Sequence, residues 1–80
     1  MSDHELFHEI VGEENMRVRR EIVACDLTSR IGFRNVYFEG HRARFVELGG
    51  SHTPALWDGA RLHEGAEAVL RALRGMMPRQ

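Results

Sequence analysis

Apolar residues recur along this chain in short blocks whose period changes. In residues 5–11, Leu6, His8 and Ile10 alternate with Phe7 and Val11, which predicts a strand with apolar side chains on both faces. That suits a central strand covered on both sides, and Gly12 breaks it. From residue 13 to about 27 the period lengthens. Val18, Ile22 and Cys25 fall at i, i+4 and i+7, which predicts a helix. Glu13 and Glu14 sit in its first turn, where carboxylates complement the positive helix end. Glu13 and Arg17 have the favourable i,i+4 order for an ion pair. Residues 28–32 read as a connector.

Residues 33–38 predict a second strand, with Phe33, Asn35 and Tyr37 on one face and Arg34, Val36 and Phe38 on the other. Strand, helix and strand in this order make a βαβ unit with parallel strands. A shorter helix over residues 40–48 follows, with Phe45 and Leu48 one turn apart, stopped by Gly49-Gly50. Ala55, Leu56 and Trp57 form the next strand, with Pro54 at its first position, where a missing N–H does least harm. Asp58-Gly59 supplies a tight turn and residues 60–63 return antiparallel. The last helix spans residues 65–76, with Ala66, Val69, Leu70, Leu73 and Met76 on one stripe. The predicted order is βαβαββα in one domain over residues 1–80, with no internal repeat, linker or low-complexity tract.

An 80-residue chain pays on the order of 100 kcal/mol of conformational entropy to order itself, so most of its large apolar residues must be in the core. No segment has the roughly 18 continuous apolar residues of a membrane span. The start, Met-Ser-Asp-His-Glu, lacks the basic and apolar pattern of a signal peptide, and a cytoplasmic location with no membrane partner is the expectation. The formal net charge of −1 gives no nucleic-acid footprint. Every basic side chain is Arg, which excludes Schiff-base chemistry on a lysine.

Cys25 is the one cysteine, so an intramolecular disulfide, a Cys-x-x-Cys pair and a multi-cysteine zinc site are excluded. It falls near the C-terminus of the first helix, beside Asp26, where both dipole and charge oppose a thiolate. It reads as a small apolar residue packed on the helix stripe. His4, His8, His41, His52 and His63 show no ligand spacing. His8 and His63 fall on candidate strands and are candidate neighbours in the sheet, but no third ligand is evident and no metal site is expected. Arg17, Arg19 and Arg20 suit a carboxylate or phosphate, but read first as a solvated face paired to Glu13 and Glu21. Trp57 reads as a core or half-buried strand residue.

The βαβαββα order, with Thr53-Pro54 before an apolar strand and an Asp-Gly hairpin, resembles the glutaredoxin-like branch of the thioredoxin fold. The stretch from Thr53 through Gly59, with Leu62-His63-Glu64, also resembles the N-terminal domain of glutathione transferases. The resemblance implies an α/β, thioredoxin-like (glutaredoxin-like) fold: a four-stranded mixed sheet with helices on both faces. It implies a cis bond before Pro54 and a Thr53 backbone offered to glutathione or to an extended peptide. It also implies that Glu64 lies near the γ-glutamyl end of glutathione. Two departures matter. Gly65 stands where transferases usually carry Ser, and Gly12-Glu13-Glu14-Asn15-Met16 stands where glutaredoxins carry Cys-x-x-Cys. A third reading under this resemblance is that Met16 replaced a catalytic cysteine that relatives retain.

The resulting expectation is a thioredoxin-fold protein without a redox dithiol, acting as a binding or interaction module for a peptide, protein or glutathione-like ligand. The alternative is a glutaredoxin-like or glutathione-dependent thiol-transfer enzyme, with Cys25 or the ligand's own thiol doing the chemistry. No catalytic residue and no obligate cofactor is expected. Glutathione, repelled by Glu13 and Glu14, should bind at millimolar strength or worse, about −4 kcal/mol at best. The expected ligand-binding residues are Gly12, Asn15, Met16, Thr53, Pro54, Glu64 and Gly65, with His52 alongside.

Overall fold

Leu6 and Phe7 are adjacent in sequence, and both are fully buried, on opposite faces of one strand. In the computed structural model, which describes residues 4–77, that strand is β1 (His4–His8), followed by α1 (Glu13–Ala24), β2 (Ile31–Asn35) and α2 (Glu39–Glu47). Then come β3 (Ala55–Trp57), β4 (Leu62–Glu64) and α3 (Ala66–Met76). The predicted βαβαββα order holds. Met1 to Asp3, part of the acidic start read above, lies outside the described residues.

The four strands form one mixed sheet in the order β2-β1-β3-β4. β1 runs parallel to β2, with Leu6 opposite Phe33, and antiparallel to β3, with Leu6 opposite Leu56. β3 and β4 are antiparallel. Because strand side chains alternate, Leu6 and Phe7 seed two separate cores. On one face Leu6 and Leu56 pack with Val18 and Ile22 of α1 and with Val69 and Leu73 of α3. On the other, Phe7 and Ala55 pack with Val36 and with Phe45 of α2, flanked by Trp57 and Leu62. The Phe7 and Phe45 rings lie 5.3 Å apart, tilted by 32°. Trp57 is half-buried in this smaller core.

Several boundaries move. β1 ends at His8 rather than residue 11, and Ile10 and Val11 lie exposed in a loop. The backbone of Glu9 and Ile10 has other partners. The Glu9 N–H donates to Asn15 Oδ1 (3.0 Å), and the Arg19 guanidinium donates to the carbonyls of Glu9 and Ile10. β2 begins at Ile31 and stops at Asn35, whose side chain accepts the Tyr37 N–H (2.9 Å) and turns the chain. Gly32 is inside β2, not in a connector. The Arg34 guanidinium fills the place of its missing Cβ, 2.7 Å from where that carbon would stand. There Arg34 reaches Glu5, which also takes a two-nitrogen grip from Arg44 of α2 (2.6 to 3.1 Å). That carboxyl is held below its ordinary range, first by the Arg44 hydrogen bond.

α1 ends at Ala24 and α2 starts at Glu39. The hairpin loop takes four residues, since Trp57 pairs with Leu62. Asp58 Oδ1 accepts the N–H of Ala60 and of Arg61 (both 2.8 Å), and the His63 imidazole donates to Asp58 Oδ2 (2.8 Å). Those donors, His63 first, push the Asp58 carboxyl well below its usual range. His8 and His63 are not neighbours, because β3 lies between β1 and β4.

Candidate functional site

The three segments expected to form a site meet, and Glu9 joins them. Its N–H goes to Asn15 of α1, while its carboxylate Oε2 accepts the Thr53 hydroxyl (2.5 Å). On the other side, the Gly65 N–H donates to the Pro54 carbonyl (2.8 Å). Glu64 Oε1 accepts the N–H groups of Ser51 (2.8 Å) and His52 (2.9 Å). The Thr53–Pro54 peptide bond is cis, as the resemblance implies. Among the described residues, neither the N–H nor the C=O of Thr53 has a hydrogen-bond partner.

The residues play different parts in this arrangement. Asn15 is buried, with its amide committed to Glu9. Gly12 precedes α1 with φ 102°, and its carbonyl accepts the Met16 N–H. Gly65 precedes α3 at φ 92° and ψ 151°, a backbone region that glycine alone occupies freely. A serine there would be strained. Glu64 shapes the loop before Pro54 with one oxygen, and its second oxygen has no partner among the described residues. Met16 is partly exposed on the outer side of α1 and does not line the cleft beside Thr53.

That cleft, of about 310 Å³, opens outside the C-terminal ends of β1 and β2. α1 leaves β1 for one face of the sheet and α2 leaves β2 for the other, so a crevice opens where the two diverge. Thr53, Ser51 and Glu9 form its polar wall, and Tyr37, Phe45 and Val46 its apolar wall. Arg42 lies within it, with Nε donating to the Val36 carbonyl (3.0 Å). Glu9, Tyr37, Arg42 and Val46 were not singled out from sequence. A first strand running to residue 11 would contain Glu9, whereas an end at His8 puts Glu9 where parallel α/β sheets carry ligands.

His8 lies at the same end of β1. The Arg19 guanidinium, which only donates, approaches His8 Nδ1 (3.3 Å), a contact that favours the neutral ring with its proton on Nε2. Burial, then the Arg19 charge, pushes its pKa down. Arg17 pairs with Glu67 of α3 (3.3 Å) rather than with Glu13. Cys25 caps the far end of α1, and its thiol donates to Glu21 Oε1 (3.4 Å). The thiol pKa is raised, chiefly by that hydrogen bond, so Glu21 rather than Asp26 is the neighbour that opposes ionisation.

Among the described residues no group of three or more His, Cys, Asp or Glu side chains is arranged to hold a metal ion. No described helix is long and apolar enough to cross a membrane. Compared with protein-family models and with curated proteins, the chain matches none.

Proposed function

We propose that this protein is a thioredoxin-fold, glutaredoxin-like binding module without a redox dithiol, which holds an extended peptide or a glutathione-like ligand along Thr53. The observation that carries this reading is the unpaired Thr53 backbone at the rim of the cleft. A free N–H and C=O on one residue at the start of a strand can pair with a ligand main chain as a sheet edge does. The cleft beside it, apolar on one wall and polar on the other, suits the side chain that follows. The strand order, and a Pro54 carbonyl tied to Gly65, support the resemblance drawn from sequence.

A thiol-transfer role fits less well. The one thiol lies at the opposite end of the 12-residue helix α1 from this cleft, roughly 18 Å along its axis. Its ionisation is opposed by Glu21.

An amide-shift titration with a short extended peptide, and separately with glutathione, tests the reading. Saturable shifts at Glu9, Tyr37, Ser51 and Thr53 are expected, with the peptide the tighter ligand. Shifts confined to the surroundings of Cys25 and Arg30 would place function on another surface.

A further inference from the structure

The solvent side of α1 carries a ridge with a groove on each flank. Met16, Arg20 and Ala24, spaced four apart, form the ridge. One groove, about 460 Å³, runs between it and Glu13, Arg17 and Glu21. The other, about 390 Å³, runs between it and Arg19 and Val23. Val23 is 65% exposed and Met16 41%. Ile10 and Val11, both exposed, adjoin the start of the helix. Among the described residues the side chains of Glu13 and Arg20 form no ion pair or hydrogen bond.

We propose that a second copy of this chain docks on this face, α1 against α1, antiparallel about a two-fold axis beside Met16. Charge selects that centre. Glu13 and Arg20 lie equally far on either side of the point midway between Met16 and Arg17, so an axis there brings each Glu13 to the partner's Arg20, and the pair forms twice. The two Met16 side chains meet at the axis, and a ridge enters a groove on either side. A centre on Arg20 would set like charges against each other. The surface is self-complementary, which is the requirement of an isologous dimer. No residue lines both these grooves and the Thr53 cleft, so the inference stands apart from the proposed function.

Sedimentation equilibrium of the full chain, from micromolar to millimolar concentration, reads it directly. The wild type is expected to pass from monomer to dimer over that range. Glu13→Arg and Arg20→Glu, both at exposed positions, should each weaken the dimer by about tenfold or more. The double variant Glu13→Arg with Arg20→Glu should restore it, and the two single variants mixed should form a heterodimer. A chain that stays monomeric at millimolar concentration leaves the face to another partner and overturns the proposal. A dimer indifferent to the single reversals, or one the double variant fails to restore, also overturns it.

Discussion

The hydroxyl of Thr53 donates to the carboxylate of Glu9 across 2.5 Å, joining two residues 44 positions apart. This bond holds the loop before β3 against the residue that follows β1, and both line the cleft. A hydroxyl bound to a carboxylate stabilises more than a neutral pair. Thr53→Val keeps the shape and removes the donor, and should cost about 1.5 kcal/mol in urea unfolding. Glu9→Gln retains an acceptor and should cost less. A Thr53→Val variant as stable as wild type would show that the bond does not persist in solution.

Cys25 should alkylate slowly in the native state and faster in denaturant, because Glu21 and partial burial both oppose its thiolate. Glu21→Gln removes the charge and should raise the native rate at fixed pH. An unchanged rate would mean that burial alone sets the reactivity. With one cysteine, no dithiol reductase activity is expected.

The pH dependence of stability follows from His8. Its folded pKa lies below the ordinary value of 6.5, so the unfolded chain binds the proton more readily. Stability is therefore full above about pH 6.5 and falls as pH drops from there toward the folded value. The slope in that window is at most about 1.4 kcal/mol per pH unit. Glu5 adds loss only at lower pH, below its ordinary 4.5, as its carboxylate protonates and releases Arg44. Denaturant midpoints across this range, with the His8 ring signals followed by NMR, check the order. His8→Gln should flatten the upper part of the curve. A His8 ring that titrates at or above 6.5 would refute the assignment.

Two glycines close to α2 should respond in opposite senses. The Phe45 ring fills the place where a Cβ at Gly50 would stand, so Gly50→Ala must displace that ring. The cost should be about 2 kcal/mol, with amide shifts at Tyr37 and Val46, which share the cleft wall. Nothing lies near a Cβ at Gly40, inside α2, and Gly40→Ala should stabilise by roughly 0.5–1 kcal/mol. Thermal or chemical unfolding of both variants decides it.

Much of the architecture was legible because it rests on local periodicity. The alternation around Leu6 and Phe7 places apolar groups on both faces, and the stripe from Ala66 to Met76 matches the buried side of α3. Strand ends were less legible. Ile10 and Val11 look like strand residues, but the backbone around them is bonded by Asn15 and Arg19, from a helix not yet formed when the strand is read alone. The site divided the same way. Thr53, Pro54, Glu64 and Gly65 stood out through the family resemblance, carried by a short contiguous motif. Glu9, Tyr37 and Arg42 did not, because their place depends on where two parallel strands stop and two helices part. The Glu64 contacts with Ser51 and His52 likewise arise only once the loop has closed.

The split of the core by β1 has a consequence for how the molecule breathes. Among the described residues, Phe7, Val36, Phe45 and Ala55 are buried on the α2 side, against eleven on the side of α1 and α3. α2 is thus the cheapest element to detach, since the larger core loses nothing when it lifts. Its amides should exchange with solvent through a partial opening, well ahead of the global unfolding that exposes α3. Phe45 and Val46, one wall of the cleft, ride on that helix. The proposed binding cleft would then sit across a seam between a fast-opening unit and a slow one, and a ligand bridging Thr53 and Val46 would slow exchange in α2 first.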